Sequence, residues 1–142
     1  MPEHAHWEHF PHGADIGIRG FGPDMAEAFA QAAMALTALV TTPSRVQQRE
    51  QLPIQCEGES ADELFFSWID ALVFEMSTRR MLFSRFDVQI VDLRLTAQVA
   101  GEPVDRQRHE PAVEIKGPTF TELRVTHDPS RALWCAQCVV DV

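Results

Sequence analysis

The chain has 142 residues, 45% hydrophobic and 23% charged, the size and composition of one globular domain that buries its own core without disulfide or metal staples. Its net charge of −9, from 21 acidic against 12 basic side chains, argues against a protein that grips nucleic acid through its own phosphate contacts, because such binding draws on clustered Lys and Arg. The opening "MPEHAHWEHF" lacks a basic region followed by an apolar run, and no segment has the length and apolarity of a membrane span. A cytoplasmic protein with three reduced cysteines is therefore expected.

In chain order, residues 1–9 read as a loose N-terminal arm, with Trp7 and Phe10 as its apolar anchors. A strand is predicted over residues 15–21. Its alternation starts only at Ile16 and Ile18, which places His12 and Asp15 at the strand mouth. "GFGPD" breaks the pattern, and Asp24 followed by Glu27 marks a helix start. Met25, Ala28, Phe29, Ala32, Ala33, Leu36 and Leu39 then recur at helical spacing, with alanines that let the helix lie close to a sheet. Residues 41–51 form a linker and residues 52–57 a short strand. "SADE", starting at Ser60, is a capping box that opens a second helix. Its apolar face, Leu64, Phe65, Trp68, Ile69, Leu72, Val73 and Met76, belongs to the core, and Arg79 and Arg80 suit the negative end of the helix dipole.

The second half changes period. Phe86, Val88 and Ile90 alternate, then Leu93, Leu95, Ala97 and Val99, so that between Ile90 and Leu93 either two strands meet or one strand bulges. A turn-rich connection, "AGEPVDRQRHEP", leads to three further strand candidates, around Val113 and Ile115, around Leu123 and Val125, and from Leu133 to the end. "HDPS" between the last two reads as a tight turn. The organisation is a single α+β domain over residues 1–142, with two helices packed on a mostly antiparallel β-sheet.

Several polar groups invite a chemical reading. His4, His6, His9 and His12 crowd the first twelve residues, yet their spacing fits no standard tetrahedral zinc motif. Cys135 and Cys138 form "CAQC", but residues three apart in a strand point to opposite faces, so the pair reads as structural. At the chain end, "VVDV" sets the side chain of Asp141 beside the terminal carboxylate of Val142, and Asp15 adds a third oxygen donor if the first strand starts nearby. Hard oxygen donors suit calcium or magnesium better than zinc. A solvated chain end with Asp15 capping a turn is the alternative. Eleven of the twelve basic residues are arginines and Lys116 is the only lysine; an arginine-favouring genome accounts for the bias without saying why position 116 kept a lysine.

"HGADIGIRGFGPDMAEAFAQAAMALTALV", "DELFFSWIDALVFEMSTRRMLFSRFDV", "AGEPVDRQRHEPAVEIKGPTF" and the terminal "VVDV" stand in the order and spacing typical of archease proteins, and the resemblance runs from Phe10 onward. It implies a small cytoplasmic protein cofactor, not itself an enzyme. Its partner would be the GTP-dependent RNA ligase that joins 2′,3′-cyclic-phosphate or 3′-phosphate ends to 5′-hydroxyl ends in tRNA splicing and RNA repair. The family role is to promote guanylylation of the ligase and its multiple turnover. The resemblance carries a metal site onto Asp15, Asp141 and Val142, with calcium as the usual occupant. It places His12, His109, Glu114 and Lys116 in matching segments as candidates for a partner-facing surface. Where the family commonly has "KAVTYH" this chain reads "KGPTFT", so Phe120 and Thr121 replace a tyrosine and a histidine, and Pro118 removes a backbone donor.

A reading from a different class is a metal-dependent phosphoester or nucleotide hydrolase, with Asp15 and Asp141 holding the ion and His12 as general base. No nucleophile motif or phosphate-cradling glycine loop accompanies it.

Overall fold

A computed structural model of the protein describes residues 5–142. The elements run β1 (His6–His12), β2 (Asp15–Gly22), α1 (Met25–Val40), a single 3-10 turn (Pro43–Arg45), β3 (Glu50–Glu57), α2 (Ala61–Arg79), β4 (Met81–Val91), β5 (Arg94–Pro103), a one-turn α3 (Arg106–His109), β6 (Gly117–Pro118), β7 (Arg124–Asp128) and β8 (Leu133–Asp141). An α+β domain with antiparallel strands was expected, and the strands divide between two sheets. One has the order β1-β2-β8-β6 with β7 also paired to β8, and the other the order β3-β5-β4. Among the described residues, no helix is long and apolar enough to cross a membrane.

Both helices form where their caps and stripes place them. The Asp24 carboxylate accepts from the Glu27 N–H at 2.7 Å, and the Ser60 hydroxyl accepts from the Glu63 N–H at 3.1 Å. The Glu63 carboxylate reaches back one residue further than in the usual box, to the Glu59 N–H. Helix α1 lies between the sheets, against β2, β1 and β8 on one side and β4 on the other. Its alanines let it come close: a Cβ at Gly20 would stand 2.2 Å from the Ala28 carbonyl oxygen and the Ala32 nitrogen. The helices meet through Phe29 and Phe65, edge to face at 5.0 Å, and through the Trp68 indole N–H, which donates to the Phe29 carbonyl.

Two local features depart from the expectations, the N-terminal arm and the strand around Val113 and Ile115, and one open alternative is resolved. Described residues of the N-terminal arm are not loose, because β1 pairs with β2 along its whole length, from His6↔Phe21 to His12↔Asp15. Trp7, His9 and Pro11 share the face that looks toward α1, and His9 Nε2 bonds the Ala35 carbonyl oxygen at 2.8 Å, so histidine here occupies an inward position. Around Ile90 and Leu93 two strands meet, joined by a two-residue turn in which Asp92 and Leu93 both have positive φ. A bulge does occur, but earlier, between Phe83 and Arg85, where the Thr37 hydroxyl of α1 donates to the Phe83 carbonyl. Residues 113–115 form no strand. Only Gly117–Pro118 pair with β8 there, since Pro118 has no N–H to extend a ladder.

Candidate functional site

Five of the seven expected site residues lie at one end of the five-stranded sheet. His12 and Asp15 close the β1–β2 hairpin around a two-residue turn, with Gly13 at φ +59 supplying a left-handed conformation that costs other residues more. Strand β2 pairs with β8 in the register Ile16↔Val140, so the next position sets Asp15 level with Asp141 on the neighbouring strand. Directly opposed residues project to the same face, with Cβ atoms about 5 Å apart. On the other side of β8, Gly117 pairs with Asp141, and the Lys116 N–H donates to the Asp141 carbonyl oxygen at 2.8 Å. Asp15 and Asp141 thus stand on adjacent strands with His12, the Lys116 main chain and Val142 next to them, brought together from three segments distant in sequence.

Their side chains remain uncommitted. Among the described residues, no hydrogen bond or ion pair engages the side chains of His12, Asp15, Asp141 or Lys116. Asp141, His12 and Lys116 are exposed, and Asp15 and Val142 are half-buried. Two opposed carboxylates repel unless a cation lies between them. The two carboxylates offer oxygen donors, which fit calcium or magnesium better than zinc. Among the described residues no group of three or more His, Cys, Asp and Glu side chains is arranged to hold a metal, so any ion here would take its remaining ligands from main-chain oxygens or water. The zinc reading of the N-terminal histidines gains no such group either; His4 lies outside the described residues.

The same outer face of the sheet carries a polar ladder that sequence reasoning missed. Arg19 donates to Glu8 at 2.5 Å and to the Gln137 side-chain oxygen at 2.8 Å, Gln137 donates to the Glu122 carbonyl at 3.1 Å, and Arg124 pairs with Glu122 at 3.0 Å. The Arg19 guanidinium also lies 4.4 Å above the Phe10 ring. These residues share one face because Glu8, Arg19, Gln137 and Arg124 are mutually paired in register.

His109 and Glu114 are placed elsewhere. His109 is 1% exposed and sits in a closed network at the end of β5. Its Nδ1 accepts from the Asp105 N–H, which leaves Nε2 to donate to Glu102 at 3.0 Å. Glu102 also accepts from Arg108 through both guanidinium nitrogens and from the Gln47 N–H at 2.7 Å. The Arg108 hydrogen bonds, helped by the Gln47 N–H and His109, hold the Glu102 carboxyl at about 2, against the opposing cost of burial. His109 is therefore a core histidine with both ring nitrogens satisfied, rather than a surface group. Glu114 is exposed on the wall of a cleft of about 940 Å3, which is lined mainly by apolar side chains such as Val73, Met76 and Val113 and bordered by Arg80 and Arg106.

The cysteines are inert by position. Cys135 pairs with Phe21 and Cys138 with Ile18, on opposite faces of the sheet, and burial pushes the Cys138 thiol up to about 12.

Comparison with known proteins joins this geometry to a family. The family model of the Archease protein family matches residues 7–142. The chain is 33% identical over 140 residues to Protein archease of Pyrococcus abyssi, covering 96% of this chain and 98% of that protein. To Protein archease of Sulfurisphaera tokodaii it is 35% identical over 121 residues, 84% of this chain and 87% of that one. The solution structure of Methanobacterium thermoautotrophicum Protein 1598 superimposes with a TM-score of 0.83 at 31% identity, over 96% of this chain and 98% of that chain.

Proposed function

The chain belongs to the archease family, and from that premise we propose that it is a protein cofactor of the RNA ligase that joins 3′-phosphate or 2′,3′-cyclic-phosphate ends to 5′-hydroxyl ends. In this reading it promotes guanylylation of the ligase and its multiple turnover, in tRNA splicing and RNA repair, and catalyses no reaction of its own. The observation that carries the reading is the meeting of Asp15 and Asp141 on adjacent strands beside Lys116, all three exposed or half-exposed and without side-chain partners among the described residues. Such a set is placed to act on another molecule's chemistry. It lies at an exposed end of the sheet rather than within a cleft that would enclose a substrate.

A divalent cation, calcium first among them, is the proposed occupant, held by the Asp15 and Asp141 carboxylates with main-chain oxygen from Val142. When bound, it would supply positive charge that a nucleotide phosphate or a partner's carboxylate recognises. Lys116 would meet an anion on the ligase, and His12 borders the same end. The net charge of −9 favours encounter with an RNA-binding protein whose own surface is basic, and makes that encounter salt-sensitive.

The test is multiple-turnover ligation by the cognate ligase with and without this protein, paired with calorimetric calcium titration. The expected result is stimulated turnover, with both stimulation and calcium binding lost in Asp141→Asn and on removal of Val142. An unchanged turnover rate would sink the proposal. Hydrolysis of a nucleotide or phosphoester by the purified chain alone, lost in Asp15→Ala, would replace it with the hydrolase reading.

A further inference from the structure

Helix α2 buries one half of its circumference and leaves the other open. Leu64, Phe65, Trp68, Ile69, Leu72 and Val73 face the core. Phe66, Asp70 and Phe74 follow one another at four-residue spacing on the opposite side, and Glu63 lies on the same side one turn earlier. Phe74 is 62% exposed. Phe66 is half-buried, and Phe120 from the β6–β7 connection stacks on it, with ring centroids 4.6 Å apart and planes within 6°. Phe120 is itself 76% exposed, the most open of the large apolar side chains among the described residues. A single exposed aromatic needs no explanation, but a stacked pair with a third exposed ring two turns along the same helix face marks a binding surface.

The patch is rigid and negatively charged. Thr119 and Thr121 clamp the connection to β8: the Thr119 N–H and hydroxyl both donate to the Val139 carbonyl, and the Val139 N–H donates to the Thr121 carbonyl. Phe120 is thus pre-positioned between two anchored neighbours, which lowers the entropy cost of using it in a contact. Asp70, between the two phenylalanines of the helix, has no cationic partner among the described residues. Glu63 borders it on the helix and Glu122 follows Phe120 by two residues. Glu122 is paired with Arg124, which leaves Asp70 as the unneutralised carboxylate between the rings. Aromatic anchors around such a carboxylate fit a basic protein surface, where arginine or lysine stems pack on the rings and a charge meets Asp70. A second copy of this chain fits poorly, because it brings another −9 of charge.

We propose that the open face of α2, formed by Phe66, Asp70 and Phe74 together with Phe120, is the surface on which the basic protein partner docks. The inference rests on the function proposed above and specifies how the ligase is held. Phe66 and Phe74 are two turns apart, about 12 Å, so the partner presents two apolar sockets at that spacing with a cation between them. The surface continues to the carboxylate end of the sheet, since Phe120 lies two residues beyond Pro118 and its neighbours bond Val139, two residues before Asp141. A partner seated on the aromatic face therefore meets Asp15, Asp141 and Lys116 at its edge.

The test measures affinity for the cognate ligase at low and physiological salt for the native chain and for Phe74→Ser, Phe120→Ser, Asp70→Arg and Val91→Ser. Val91 is 68% exposed at the far end of β4 and serves as a control. Phe74→Ser and Phe120→Ser are expected to weaken binding roughly 30-fold each, Asp70→Arg to weaken it and flatten its salt dependence, and Val91→Ser to leave it unchanged. Thermal melts check that each variant folds. Native-like binding by all three patch variants would place the contact elsewhere and overturn the inference, while stimulated ligation would still uphold the function. No binding by the native chain would overturn both. A dimer in sedimentation equilibrium that Phe74→Ser dissolves would assign the face to a second copy instead.

Discussion

Glu102 and Asp141 are both carboxylates near the C-terminal ends of long antiparallel strands, and their surroundings differ in almost every respect. Glu102 is buried, accepts from Arg108, His109 and Gln47, and has its capacity for hydrogen bonds consumed within the fold. Asp141 is exposed, stands level with a second carboxylate, and has no side-chain partner among the described residues. A polar group whose bonds are all made internally serves the fold, whereas one left open at the end of a sheet is available to another molecule. The sequence marks residues in both places, since His109 and Asp15 sit in equally polar segments, and only the bonding pattern separates them.

The sharpest test of that contrast is Glu102→Gln. The amide keeps the shape but turns a donor toward groups that also donate, and it leaves Arg108 without a counter-charge. Stability should fall by about 3 kcal/mol, and Tm by roughly 10 °C. The pH dependence has a defined sign. The folded carboxyl titrates at about 2 against an ordinary value of 4.5, so its contribution is full above pH 4.5 and is lost as pH falls toward 2. Thermal melts across that window should show the native protein losing stability that the variant never had. Equal acid profiles would mean that the network does not hold the fold together.

This contrast also shows how far the residues alone reach. Both helices were legible because capping and periodicity act within a few residues: Asp24 with Glu27, Ser60 with Glu63, and the stripe from Leu64 to Val73. Strand β1 was not, because His6 and His9 fall in a histidine-rich stretch that reads as a loose arm, and the Ala35 carbonyl that makes His9 an inward residue lies 26 positions away. The α+β class and the archease resemblance were legible, whereas the opposed placement of Asp15 and Asp141 was legible only as a condition, because it depends on β2 pairing with β8, more than a hundred residues away. The burial of His109 was hidden because it depends on Glu102 and on a one-turn helix inside a segment rich in turn residues. Asp105 offered the one available signal, a cap that accepts from the Gln107 and Arg108 N–H groups.

A smaller effect on stability is expected at the open end. Asp15→Asn and Asp141→Asn in metal-free buffer should each change stability by no more than about 0.5 kcal/mol, and slightly upward, because each removes one of two opposed like charges. Calcium at a hundredfold over its dissociation constant should raise native stability by about 2.7 kcal/mol and leave both variants unmoved. Paired melts with and without calcium give both quantities. A metal-free loss comparable to that of Glu102→Gln would break the contrast, since it would make these carboxylates structural as well.

The smallest effect concerns the strand that holds Asp141 in place. Cys135 and Cys138 project to opposite faces of β8, and a disulfide needs its Cβ atoms about 4 Å apart on converging vectors. Joining them would require β8 to leave the register that aligns Asp141 with Asp15. Burial also raises both thiols, Cys138 to about 12, and Cys56 on β3 to about 11, so little thiolate exists at neutral pH to start the exchange. Mild oxidation at pH 8 should therefore leave the intact mass and Tm unchanged, and alkylation of Cys138 should be far slower than that of a free thiol. A Cys135–Cys138 bridge in the mass spectrum would show that β8 opens in the native state. The two carboxylates would then be held level only part of the time, and calcium binding would have to supply the order that the register supplies here.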